Sequence, residues 1–296
     1  MLENCRWLLK TSRLSGCHPH TIDERSRINF CLLLIHSLIM CGLYSVAAYY
    51  VLGFGKNCGD SNATIGCALQ RINRYNRCLY VIVTILLSCL RHKEFERAVI
   101  VARKFDSLVI NNYPADEGQM MNYRQWFVML AISLAWISAN MLITCVIPLY
   151  QLNLYTLVAQ IVMRITFSME IAKFCFIYDA LYRRFRRLNG SCCKLSGVTT
   201  DIGTSVSINA NRFTISNLQR LHSCLTDATN HFTSYYGPQL LCWLAFMLLD
   251  IITYIFDILY ETKNTVLICI SCIILIYLSL QVIFISRICN LTCDEV

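Results

Sequence analysis

The chain predicts an all-α fold, a polytopic bundle of transmembrane helices with an intracellular N-terminus. Composition is the first observation: 56% of residues are hydrophobic and 15% charged, against about 45–50% and about 25% in soluble domains. Segmentation is the second. The apolar residues gather in blocks of roughly 20, the length that crosses about 30 Å of hydrocarbon, without the polar faces that a 3.6-residue period would bring. Charge placement is the third. With the N-terminus inside, the inner segments carry 19 Lys and Arg and the outer ones 5 (Lys56, Arg71, Arg74, Arg77 and Lys263), a bias of the positive-inside kind.

Residues 1–296 read as one membrane domain. Segment 1–27 is a cytoplasmic N-terminus. Arg6, Lys10 and Arg13 interrupt it, and Trp7-Leu8-Leu9 is too short for the apolar stretch of a cleavable signal. The first span, 28–52, therefore inserts as a signal anchor. An outer loop follows over 53–77, and a second span over 78–90, with Tyr75 and Asn76 extending it into the interface. Residues 91–124 form a charged cytoplasmic loop, and 125–149 a third span closed by Pro148, Gln151 and Asn153. The fourth span, 154–182, belongs to a helix long enough to project from the membrane as far as Leu188. Segment 183–236 is a cytoplasmic loop. Its part 190–211, rich in Ser, Thr and Gly, reads as flexible, and its part 215–236 as helical. Gly237-Pro238 introduces a fifth span at 239–260, 261–264 is a turn, the sixth span covers 265–288, and 289–296 ends in the cytoplasm.

Asn62-Ala63-Thr64 is a glycosylation sequon on the outer loop. The sequons at Asn189 and Asn290 fall on the inner side and should stay bare. Cys58 and Cys67 bracket the outer sequon and are placed to pair in the oxidising exterior; two free thiols are the alternative. Most of the 18 cysteines lie in apolar blocks, where Cys acts as a small hydrophobe. Cys269 and Cys272 have CxxC spacing and Cys17-His18-Pro19-His20 resembles a ligand cluster, but neither has the partners that a metal needs. No metal and no cofactor are expected.

Ionisable residues inside hydrocarbon are costly and point to a functional interior. Here they are Arg164, Glu170 and Lys173 in the fourth span, and Asp250 and Asp257 in the fifth. Glu170 and Lys173 share a helix face and can neutralise each other; Asp250 and Asp257 share one too. One reading is a polar chamber between the fourth and fifth spans; the other is interhelical pairing that fixes register. Trp136, Asn140, Trp243 and Tyr254 add the aromatic walls and sparse polar groups of a small-molecule pocket. The candidate ligand pocket is thus Trp136, Asn140, Arg164, Glu170, Trp243, Asp250 and Tyr254.

The most specific string lies at the inner end of the fourth helix: Tyr182, Arg183, Arg184, Phe185, Arg186, Arg187, Leu188, Asn189. After a variable loop come Leu218, Leu221, His222, Leu225 and Asp227, then an apolar helix. A lipid-facing basic exit helix accounts for the first run alone. The combination resembles the insect gustatory receptor family of the insect chemoreceptor superfamily, and Cys289 followed by Asp294 and Glu295 is similar to that family's end of the sixth helix. The resemblance implies seven spans, an intracellular N-terminus and a tetrameric ligand-gated cation channel in the plasma membrane. Its expected partners are a small tastant, membrane lipid and further receptor subunits in a homo- or hetero-oligomer. In that family a last helix with Thr-Tyr, five apolar residues and Gln-Phe lines the pore. Neither Tyr260-Glu261 nor Gln281 supplies that motif, so six spans of an expected seven are present and no pore residue carries over.

Two other classes compete. A G-protein-coupled receptor fragment would place its N-terminus outside, against the charge bias, and the chain has no Asp-Arg-Tyr after the third span and no Asn-Pro-x-x-Tyr near its end. A small-solute transporter would show repeats or helices broken near the midplane; Pro148 and Pro238 both sit at span ends. No HExxH or GxSxG supports an enzyme. The formal charge of +8 lies between apolar blocks and not in a basic domain, which speaks against nucleic acid.

Overall fold

The computed structural model describes residues 10, 12–17, 27–53, 65–112, 154–198, 215–256, 258–259 and 265–295. Among them the regular structure is helical: α1 (Arg27–Gly53), α2 (Ile65–Leu90), α3 (His92–Asn112), α4 (Leu154–Val198), α5 (Ile215–Phe256) and α6 (Thr265–Glu295). The expected third span, with Trp136 and Asn140, lies outside the described residues, as do Cys58, Asn62 and Asp257.

Several helices are longer than the apolar blocks that announce them. Helix α2 starts at Ile65, within the expected outer loop, and so includes Cys67. The charged stretch after Leu90 is no loop up to Asn112 but helix α3. Its apolar residues Phe95, Ala98, Val99, Ala102 and Phe105 recur at helical spacing and are all buried. Helix α4 runs past Gly190 to Val198, into the segment expected to be flexible. Helix α5 passes through Gly237 and Pro238 without a break.

That last continuity has a visible cause. Proline lacks the N–H that would bond the carbonyl four residues back, here the carbonyl of Ser234. The Arg91 guanidinium, at the corner between α2 and α3, donates to that carbonyl. A tertiary donor thus replaces the missing helical one, and the helix continues.

Helix α3 packs most extensively on α5. Helix α2 packs on α1, α5 and α4, and α6 on α4 and α5. The core is aromatic: Phe174, Phe185, Phe232, Tyr235, Tyr236 and Trp243 are fully buried. Apolar side chains also face outward. Leu32, Ile35, Leu38, Ile39, Leu43 and Val46 are exposed on α1, and Ile273, Ile276, Leu280 and Ile283 on α6. Apolar faces of that extent mark a membrane surface. Helices α5 and α6 contain apolar stretches long enough to cross a membrane. Only 28% of either stretch is buried inside the protein, which suits lipid contact and not the core helix of a soluble domain. The chain is a helical membrane protein.

Candidate functional site

Helix α2 carries Asn76, Tyr80, Thr84 and Ser88 at every fourth position, so they line one stripe. Helix α5 meets that stripe with Asp250, Phe246, Trp243 and Gln239. Asn76 Nδ2 donates to the Phe246 carbonyl at 3.1 Å and to Asp250 Oδ1 at 3.4 Å. Trp243 Nε1 donates to Thr84 Oγ1 at 3.2 Å, and Thr84 in turn donates to the Tyr80 carbonyl at 2.9 Å. Gln239 Nε2 donates to Ser88 Oγ at 3.1 Å. With Arg91 on Ser234, the two helices are joined along four turns by a polar zipper. Polar side chains buried among apolar ones are stable only when bonded in this way.

Aromatic rings wall the zipper. The Tyr80 ring lies 4.0 Å from Phe167 and 5.5 Å from Phe246 in edge-to-face contact, and 6.5 Å from Trp243. Phe174 stands edge-on to Trp243 at 6.0 Å and to Tyr236 at 5.2 Å. The Tyr80 hydroxyl and Gln239 Oε1 are buried and have no hydrogen-bond partner among the described residues.

A second polar cluster starts at Glu170, which shares a face of α4 with Phe167 and Phe174. Glu170 and Lys173 form an ion pair that is 1% exposed at either side chain. Ser12, from the N-terminal segment, donates to Glu170 and accepts from Lys173 Nζ at 3.0 Å. Nearby, Tyr44 of α1 and Thr166 of α4 share a hydrogen bond of 2.9 Å.

Of the expected pocket residues, Trp243 and Asp250 fall in the zipper. Glu170 falls in the second cluster and bonds Lys173, as their spacing implies. Tyr254 is buried on α5, and Arg164 is on α4, its side chain outside the described set. Among the described residues, Glu170 bonds Lys173 and Ser12, and Asp250 accepts from Asn76. The zipper's α2 half was missed. Its signal was available in the four-residue spacing of polar residues through the second apolar block.

The long motif reads as an interhelical joint. Phe185, Leu188, Leu221 and Leu225 are buried, and the Phe185 ring lies 5.8 Å from that of His222. Arg183 pairs with Asp179 at 3.1 Å, Arg186 donates to Tyr182 Oη at 3.4 Å, and Asp227 is exposed. Cys289 is a half-buried free thiol. Arg184, the second arginine of the string, grips Asp106 of α3 with two parallel bonds of 2.9 Å, the fork geometry that makes such pairs specific. Asn189 Nδ2 bonds the Glu295 carbonyl and its Oε2, each at 2.9 Å.

These joints describe a helical bundle with two buried polar centres. A family model described as 7tm chemosensory receptor matches residues 6–296. No curated protein matches the chain.

Proposed function

We propose that this chain, which belongs to the 7tm chemosensory receptor family, is a gustatory-type receptor subunit of the plasma membrane that binds a small tastant against the α2–α5 zipper. The family is one of chemoreceptors that bind small chemicals, and is not an enzyme family. The gustatory reading rests on the string from Tyr182 to Asn189 with Leu221, His222, Leu225 and Asp227.

The observation that carries the site is the buried, unpartnered hydroxyl of Tyr80 between Trp243, Phe246 and Phe167. A buried polar group without a partner is rare in a finished core, and a ligand hydroxyl or carbonyl would complete it. Aromatic walls with few polar groups are what a small-molecule site requires. Ligand bound there touches both α2 and α5, so it favours whichever spacing of the two helices it fits, and the populations shift accordingly. In a cation channel assembled with further subunits, that shift is the gating step.

The test uses the full chain in detergent, with sucrose, fructose, caffeine and quinine as probes. At least one should raise the melting temperature. Tyr80→Phe should weaken its binding roughly fivefold, the worth of one hydrogen bond at about 1 kcal/mol, with the unliganded melting temperature little changed. Undiminished affinity in both Tyr80→Phe and Trp243→Ala would remove the site from the zipper. Whole-cell recording with a co-expressed receptor subunit tests the channel half separately.

A further inference from the structure

We propose that residues 12–17 form a latch that lifts and docks as a unit, admitting water to the Glu170–Lys173 pair when it lifts. The segment ends a helical turn in a Schellman motif: Cys17 N–H bonds the Ser12 carbonyl and Gly16 N–H the Arg13 carbonyl, each at 3.0 Å. Gly16 takes a φ of +82°, and a Cβ there would stand 2.6 Å from Met40 Cβ. Glycine is thus required both for the turn and for the approach to α1. This shape carries the Ser12 hydroxyl to the one place where it can donate to Glu170 and accept from Lys173.

Of the apolar side chains of residues 12–17, Cys17 is buried and the larger Leu14 is not. Leu14 is 71% exposed, and Arg13 and Ser15 are only part-buried. Among the described residues, Ser12, Gly16 and Cys17 are enclosed, so the segment is held largely through small side chains and polar bonds. Regions with few buried apolar contacts open locally, at lower free energy than global unfolding. The helix beneath is of the opposite kind, with Phe174, Cys175, Ile177 and Leu181 of α4 all buried. The charge pair can therefore be uncovered while α4 stays packed. A water molecule donates and accepts as Ser12 does, so the lifted state keeps the pair bonded. In the lifted state water reaches the interior beside Thr166 and Tyr44, which share a hydrogen bond.

Cys17 is a built-in reporter, since it is a free thiol, fully buried only while the segment is docked. The full chain in detergent is treated with N-ethylmaleimide, and each cysteine is followed by mass spectrometry. Exposed Cys293 is the fast reference and Cys175, buried in α4, the control for folding. Cys17 should react at a rate between the two. Ser12→Ala should raise the Cys17 rate roughly ten- to hundredfold, the cost of losing bonds to charged groups, with Cys175 still protected. Gly16→Ala should do the same by obstruction at Met40. The latch is overturned if Cys17 and Cys175 rise together, because the segment then opens only with the whole fold. It is also overturned if neither substitution moves Cys17.

Discussion

Glu94, at the start of α3 and in the stretch expected to be cytoplasmic, shows how one carboxylate can tie two helices together. His231 Nδ1 of α5 lies 2.8 Å from its Oε2, and Arg97 Nη1 3.3 Å from its Oε1. The hydrogen bond from His231 is the largest influence on its titration; burial opposes it, and Arg97 and Arg91 add to it, so the carboxyl is held below the usual range. A carboxyl whose folded value is depressed contributes stability above its unfolded value and loses it as pH falls through the folded one. Wild type should therefore melt above Glu94→Gln at neutral pH. The gap should close as the pH is taken down through and below the ordinary carboxylate range. Melting curves of both proteins across that range check this, and a gap independent of pH would mean that the charge of Glu94 contributes nothing. At the same scale, the Glu170–Lys173 pair was legible because its two members are three residues apart on one helix. The third member, Ser12, was not: no local pattern marks a serine that reaches a charge pair on another helix.

At the scale of the element, Pro238 is the instructive position. A Gly-Pro step normally marks a helix boundary, and the sequence alone divides α5 there. The structure keeps one helix because Arg91 supplies the Ser234 carbonyl with a donor. Arg91 precedes α3 and belongs to a charged run of no evident pattern, so nothing nearby in sequence announces the contact. A double-mutant cycle tests it. Arg91→Met should cost about 1–3 kcal/mol, the penalty for leaving a buried carbonyl unbonded. In the Pro238→Ala background the residue at 238 regains its N–H and bonds Ser234 itself, so Arg91→Met should cost little. Thermal denaturation of the four proteins gives the coupling, and equal costs in both backgrounds would break the link between arginine and proline. The length of α4 follows the same lesson. Its Ser- and Gly-containing end has weak helix propensity, yet Asn189 is held by Glu295 of α6. The apolar blocks were legible because hydrophobicity is a sum over many residues; the helix ends were not, because single tertiary bonds set them.

Over the whole molecule, the three sequons and the charge bias converge on one topology. From the 19-to-5 distribution of Lys and Arg we propose that Asn62 lies outside and Asn189 and Asn290 inside. Side-chain contacts add a reason that does not depend on charge. The Asn189 amide nitrogen, the atom that a glycan would occupy, makes two bonds of 2.9 Å to Glu295. In the third sequon, Thr292 is 2% exposed and its hydroxyl donates to the Ile288 carbonyl at 2.9 Å, so the hydroxyl that an oligosaccharide transferase must engage is turned into the bundle. Asn62 should then be the glycosylated position. Enzymatic removal of N-glycans should sharpen and speed the wild-type band on a gel, and Asn62→Gln should remove that shift, while Asn189→Gln and Asn290→Gln leave it unchanged. Tags at residue 1 and beside Asn62, stained before and after permeabilisation, report the same topology independently, with the N-terminal tag visible only after permeabilisation. A shift that survives Asn62→Gln, or an N-terminal tag stained on intact cells, would invert the bundle. The basic string from Arg183 to Arg187 would then face outward, and the gustatory reading of the chain would fall with it.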